Sequence, residues 1–102
     1  MSTREAYEVE LEALLRGFAD NVRGLRERTA RDYSQEDLAD AARLHRTEIS
    51  KIERAQRDPR LSTLLILADA LGASLDDLAK GVQVPKERRP SPRVKRARAI
   101  DR

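Results

Sequence analysis

The sequence contains no cysteine and no tryptophan, and it has one histidine and only 3% aromatic residues. Without cysteine there can be no disulfide, thiolate metal site or thiol nucleophile, and a lone imidazole cannot form a zinc site. The longest apolar run, Leu64 to Ala68, is far shorter than the roughly 18 residues that span a bilayer. Arg4 followed by acidic residues is not a signal-peptide pattern. We therefore expect a soluble cytoplasmic protein that uses no metal or cofactor.

The signals of β-strands are also missing, because the chain lacks β-branched runs separated by turn residues. Apolar residues make up 39% of the chain, and Leu, Ala, Ile and Val predominate among them. A chain of 102 residues has the usual size of one domain. We predict an all-α fold in a single domain with an extension at each end.

Apolar residues near the N-terminus recur three and four positions apart, which predicts one amphipathic helix or two helices in succession. They are Tyr7, Leu11, Leu14, Leu15, Phe18, Val22 and Leu25. Gly17 and Gly24 are candidate breaks in this stripe. We assign residues 1–14 to an extra N-terminal helix or helical extension, residues 15–81 to the main domain and residues 82–102 to a tail.

Capping signals predict where the later helices begin. Two serines form capping-box patterns with an aspartate three residues later, Ser34 with Asp37 and Ser74 with Asp77. Ser62 is the expected cap of the helix between them. The predicted helices are Gln35 to Ala42, Arg46 to Arg54, Thr63 to Leu71 and a short last helix that ends at Lys80.

The net charge of +3 is unevenly distributed along the chain. Residues 82–102 contain eight Lys or Arg against Glu87 and Asp101, a net charge of +6, so residues 1–81 sum to −3. Together with three prolines, this basic composition predicts a tail that is disordered in isolation. Within the domain, basic residues cluster between Arg43 and Arg60. A positively charged segment within an otherwise acidic domain indicates that the protein binds an anionic ligand at this segment.

The two predicted helices between Gln35 and Arg54 are joined by only about three residues, so they must cross at a steep angle. Small and apolar residues fit such a crossing, and here they are Leu38, Ala39, Ala42, Leu44, Ile49 and Ile52. The opposite face of the second helix then displays donors that suit base edges and phosphates in a major groove. These donors are Arg46, Thr47, Ser50, Lys51 and Arg54.

Five segments, in order over residues 15–80, resemble the phage-repressor and Cro type (Xre family) of helix-turn-helix DNA-binding proteins. They are Val22-x-x-Leu25-Arg26, SQEDLA, EISKIER, Pro59 and TLLILADALGASLDDL. The resemblance implies a lambda-repressor-like five-helix domain. It also implies that Gln35 holds a phosphate, that Arg46, Thr47 and Lys51 face bases, and that Glu53 pairs with Arg26.

The chain departs from the family pattern at three positions near the turn. Arg43 and Ala55 stand where glycine is usual, and His45 stands where a Ser or Thr cap is usual. A side chain at positive φ carries roughly 1 kcal/mol of strain, which the fold should survive.

From these patterns we predict two sets of DNA contacts. The base-contacting residues are Arg46, Thr47, Ser50 and Lys51. The phosphate-contacting residues are Gln35, Arg43, His45, Arg54, Arg57 and Arg60. An ordinary solvated helix face is the alternative interpretation of such basic residues, and the surrounding motif favours DNA.

Leu65 and Ile66 lie in an apolar stretch that has no polar side, so another surface must cover them. Either the N-terminal stripe with Leu11 and Leu14 folds back, or a second subunit docks. We predict that Leu65, Ile66, Leu11 and Leu14 form the contact of a homodimer. A two-fold dimer places its recognition helices about 34 Å apart, one turn of duplex, on a pseudo-palindromic double-stranded DNA site.

The predicted function is transcriptional regulation at the nucleoid. Repression is favoured over activation, because the chain has no second domain to sense a ligand or recruit polymerase. One alternative is an antitoxin or accessory autoregulator that also binds a protein partner through its tail or N-terminal helix. Another alternative is an adaptor protein that has lost DNA binding. The basic and polar residues of the second helix argue against this alternative. No motif supports an enzyme.

The tail yields a first prediction. If its basic residues add affinity for DNA of any sequence, truncation after Gly81 flattens the plot of log affinity against log salt, by about 0.9 for each phosphate contact removed. Titrations at several salt concentrations measure this slope. An unchanged slope would show that the tail does not contact DNA.

Overall fold

The computed structural model describes residues 1–87 and consists of five α-helices over that range, with no strand. The helices are α1 (Thr3–Thr29), α2 (Gln35–Ala42), α3 (Arg46–Glu53), α4 (Leu61–Leu71) and α5 (Leu75–Ala79). This confirms the all-α prediction. None of the described helices is long and apolar enough to cross a membrane.

The N-terminal extension and the first helix of the domain form one continuous helix. A capping box in which the Ser2 hydroxyl accepts from the Glu5 amide starts α1, which then runs for 27 residues. Gly17 and Gly24 do not break it, and no boundary occurs at residue 14. Val82 packs beside Gly17, where a Cβ would lie 3.4 Å from the Val82 side chain, an ordinary van der Waals distance. The extra segment is therefore a helical extension and not a separate helix.

One hydrophobic core joins all five helices. Phe18 and Val22 from α1 pack on the crossing of α2 with α3, and Leu67 and Leu78 close the core from α4 and α5. The buried apolar residues are Phe18, Ala19, Val22, Leu38, Ala39, Ala42, Ile49, Ile52, Leu67, Ala68 and Leu78. The residues predicted for the helix crossing are thus buried, except that Leu44 is partly buried against the core.

The predicted capping boxes at α2 and α5 are confirmed. The Ser34 hydroxyl accepts from the Asp37 amide at 3.0 Å, and the Ser74 hydroxyl accepts from the Asp77 amide at 3.0 Å. In each box the serine amide donates back to the carboxylate and holds the pKa of Asp37 or Asp77 below its usual range. Local sequence therefore sets where both helices begin.

The predicted cap of α4 is wrong. This helix begins at Leu61, and its N-cap is Arg60, which makes no capping hydrogen bond through its side chain. The reason is that the backbone is already extended at Arg60, with φ −69° and ψ 159°, directly after Pro59. The Leu64 amide then donates to the Arg60 carbonyl at 3.0 Å, which places Ser62 inside the first turn.

Residues 82–87, which the sequence assigned to the tail, form a strap along the N-terminal half of α1. Pro85 is buried, and the Glu87 amide donates to a carboxylate oxygen of Glu10 at 3.1 Å. The Asn21 side chain fixes the start of the strap by donating to the carbonyl of Leu78 at 2.8 Å. Residues 82–87 thus pack on the domain, and a truncation after Glu87 leaves these contacts in place. The predicted disorder of residues 88–102 lies outside the described residues.

Two non-glycine residues end helices in the left-handed conformation, Arg43 with φ 56° after α2 and Ala55 with φ 60° after α3. After α3, the Ala55 amide donates to the Ile52 carbonyl and the Gln56 amide donates to the Lys51 carbonyl, which is the Schellman arrangement. Gly72 makes the equivalent turn after α4 with φ 63°. The two positions where the family usually has glycine therefore keep the glycine conformation.

We predict that Ala55→Gly raises the free energy of unfolding by about 0.5–1 kcal/mol, because relief of left-handed strain exceeds the added entropy of the unfolded chain. The matched control is Ala41→Gly at an exposed position inside α2, which should lower it by about 0.5–1 kcal/mol. Urea denaturation measures both. Destabilisation by both variants would mean that residue 55 carries no strain.

Candidate nucleic-acid interface

α3 presents one apolar and one polar face. Ile49 and Ile52 are buried beneath it, and the residues that point away from them are the ones predicted to read DNA. Arg46 and Thr47 are exposed, whereas Ser50 and Lys51 are partly exposed. The helical repeat puts Thr47 opposite Ile49 and Ile52 and puts Ser50 and Lys51 at the flanks of that side, whereas Arg46 is exposed at the first position of the helix. The four predicted base contacts therefore share one accessible surface.

Glu53, the last residue of α3, is the one charged side chain buried among residues 1–87, with 1% of its surface exposed. Arg26 of α1 donates two hydrogen bonds to its carboxylate, with Nε 2.7 Å from Oε2 and Nη2 3.1 Å from Oε1. Gln35 of α2 donates to the same carboxylate at 3.0 Å. A further nitrogen of Arg26 donates to the Tyr33 carbonyl at 2.6 Å. One carboxylate thus holds α1, α2 and α3 together.

This ion pair is strong because each partner satisfies the other where water is excluded. Its hydrogen bond to Glu53 raises the pKa of Arg26 above its ordinary value. Removal of one partner of a buried pair leaves an uncompensated charge and typically costs about 3–5 kcal/mol. The pair that the family resemblance implied is therefore present in the structure as a fixed part of the scaffold.

The predicted phosphate contacts occupy different environments. Gln35 is partly buried and engaged with Glu53, so its amide nitrogen is already used within the protein. Arg57 pairs with Glu48 at 3.1 Å, and Arg54 donates weakly to the Ser50 carbonyl at 3.4 Å. The remaining members are exposed side chains for which the structure gives no ion pair, namely Arg43, His45 and Arg60. His45 is the N-cap of α3 and makes no capping hydrogen bond through its side chain.

One residue at this end of α3 escaped the sequence analysis. Arg23, which lies one turn before Arg26 on α1, donates to the backbone carbonyl of Glu53 at 2.8 Å. Its spacing of three residues from Arg26 was a usable signal, because residues three apart share a helix face. The family motif predicts a role for Arg26 alone.

The surface has the chemistry of a polyanion-binding site. It combines several arginines and one lysine with the exposed face of a short helix, and a helix of this width fits the major groove. Within residues 1–87, no group of three His, Cys, Asp or Glu residues is arranged to hold a metal ion.

Comparison with known proteins places this geometry in a family. A family model described as helix-turn-helix matches residues 23–78. Control protein C.SmaI of Serratia marcescens is 48% identical over 60 residues, which are 59% of this chain and 69% of that protein. A prophage SPbeta-derived uncharacterized HTH-type transcriptional regulator, YonR of Bacillus subtilis (strain 168), is 41% identical over 54 residues. That match covers 53% of this chain and 50% of the Bacillus protein.

Two solved structures resemble the fold. The restriction-modification controller protein C.AhdI from Aeromonas hydrophila superposes with a TM-score of 0.57 at 39% identity, over 63% of this chain and 94% of its own. The hypothetical transcription factor NHTF from Neisseria gives a TM-score of 0.57 at 36% identity, over 68% of this chain and 74% of its own. Because the family model matches more than half of the sequence, the chain belongs to the Xre (Cro/C1-type) helix-turn-helix family of DNA-binding transcriptional regulators.

Proposed function

We propose that this protein is a homodimeric repressor of the controller type, which acts at the nucleoid on the genes of a restriction-modification system. The observation that carries the proposal is the outward polar face of α3, held on a scaffold that the buried Glu53 carboxylate ties together. Similarity to C.SmaI and to C.AhdI supports the assignment to controllers. Two α3 helices related by a two-fold axis would enter successive major grooves about 34 Å apart.

The residues of this surface divide by chemistry into two roles. Arg46, Thr47, Ser50 and Lys51 lie on the face of α3 that points away from the core, where their donors reach base edges. Arg43, His45, Arg54, Arg57 and Arg60 flank this face on the turn, the end of α3 and the loop that follows, where phosphate chains would pass. Gln35 would contribute through the N-terminus of α2, where the first backbone amides of a helix can bind a phosphate.

We predict different losses for the two roles. Arg46→Ala should cost about 1–3 kcal/mol on the preferred operator and relax preference at one base position, because a bidentate base contact disappears. Arg57→Ala should weaken binding to all sequences alike, because a phosphate contact carries no sequence information. Selection of bound fragments from random DNA, followed by titrations on operator and scrambled duplexes, measures both effects.

Arg16→Ala is the matched control, since Arg16 is exposed on α1 away from this surface. Its binding should equal that of the unaltered protein. Equal losses on operator and scrambled DNA for Arg46→Ala would contradict its role as a base reader.

The proposed dimer contact lies on α4 and the adjoining part of α1. Leu65 is 51% exposed and Ile66 is 41% exposed, although Leu67 beside them is fully buried. Both stay exposed among residues 1–87, and we propose that a second subunit covers them. Burial of such side chains stabilises an interface by about 1.5–3 kcal/mol each.

An apolar groove connects α4 to the predicted contacts on α1. The groove has a volume of about 320 Å³ and lies between the two helices and α5. Leu14 lines one wall and Leu64 another, while Leu75 lines the groove and is still 40% exposed. Leu11 lies one turn before Leu15 on the same helix and is partly buried. Of the four predicted contact residues, Leu14 alone lines this groove.

We predict that the double variant Leu65→Asp/Ile66→Asp is a folded monomer, because both residues are exposed in the subunit and charges there oppose burial against a partner. Leu11→Asp/Leu14→Asp should weaken the dimer and also lower stability, because these residues are partly buried. Sedimentation equilibrium and circular dichroism separate the two effects.

Val9→Asp is the matched control, since Val9 is 55% exposed on α1 and does not line the groove. It should remain a folded dimer. If both double variants remain dimeric, the contact lies elsewhere on the molecule.

A further inference from the structure

The last carbonyl of α3 has an unusual partner. The turn after α3 uses the carbonyls of Ile52 and Lys51 to accept the amides of Ala55 and Gln56. The carbonyl of Glu53 accepts instead from Arg23, whose Nη2 lies 2.8 Å away on α1. A side chain of one helix therefore completes the hydrogen bonding at the end of another.

Arg23 and Arg26 hold Glu53 at two separate points. Arg26 holds the carboxylate, and Arg23 holds the backbone oxygen. The buried residues Ile49 and Ile52 already pack α3 against the core, and the Arg23 contact adds a restraint on the backbone at the end of the helix that is separate from the carboxylate. Arg23 is itself steadied on α1 by Asp20, whose carboxylate lies 3.9 Å from Nη1.

The orientation of α3 matters at its other end. Arg46 and Glu53 are the first and last residues of α3, separated by about 10 Å along its axis at 1.5 Å per residue. A tilt of about 5° about Glu53 moves the start of the helix by about 1 Å. Functional geometry is lost once groups are displaced by more than about 0.5 Å, so such a tilt would misalign the base contacts.

We infer that Arg23 is a positioning residue for sequence recognition, which acts through the Glu53 carbonyl and not by contact with DNA. This inference rests on the proposed function, because it assigns a role in reading the operator. The expected signature is a loss of discrimination between sequences. Affinity for DNA of any sequence should be retained, because phosphate contacts tolerate a small tilt of one helix.

The test compares Arg23→Met, which keeps the aliphatic stem but removes the donors, with Arg16→Met at an exposed position on the same helix. The operator is the sequence that the unaltered protein selects from random DNA. Arg23→Met should lower the ratio of operator to scrambled-DNA affinity about tenfold, while the dependence of log affinity on log salt stays unchanged. Arg23→Lys, which keeps one donor, should recover part of the ratio. Arg16→Met should behave as the unaltered protein.

Two results would overturn the inference. An unchanged ratio for Arg23→Met would show that the contact only supports the fold. Equal losses on both DNAs, with a salt slope smaller by about 0.9, would show that Arg23 contacts a phosphate directly. Circular dichroism monitors folding. If Arg23→Met is unfolded, the test uses the folded Arg23→Lys variant, whose ratio of operator to scrambled-DNA affinity must lie below that of the unaltered protein. If the unaltered protein itself does not discriminate between sequences, the proposed function fails first.

Discussion

The buried carboxylate of Glu53 is the constraint on which the rest of the recognition surface depends. It belongs to α3 and accepts hydrogen bonds from Arg26 of α1 and from Gln35 of α2. A charge in this place is stable only while its donors remain correctly arranged. The core and the polar contacts to Glu53 together hold these helices against one another. The outward face of α3 has a defined position because the end of the helix at Glu53 is held by these donors.

The parts of the fold that depend on local chemistry could be predicted from the sequence. Capping boxes at Ser34 and Ser74 gave the starts of α2 and α5, since a hydroxyl and a carboxylate three residues apart act on their own backbone. The helical repeat gave the buried and exposed faces of α3. The ion pair of Arg26 with Glu53 joins residues 27 apart in the chain, and only the resemblance to a family could supply it.

The parts that depend on distant packing could not be predicted in the same way. Gly17 was a candidate break, but Val82 packs beside it and α1 continues. Pro85 looked like part of an unfolded tail, but α1 offers a surface that buries it. The start of α4 depends on the backbone at Arg60 and not on the hydroxyl of Ser62. At Gly17 and Pro85 a neighbour remote in sequence outweighed the local signal, whereas at α4 the adjacent backbone did.

α3 separates two tasks on one helix of eight residues. The inward residues Ile49, Ile52 and Glu53 are buried, whereas the outward residues are exposed or partly exposed. Substitutions on the outward side therefore cost less stability than substitutions on the inward side. Descendants of such a protein could acquire new operators while the architecture stays the same, so that neighbouring regulatory circuits in one cell evolve independence from a common ancestor.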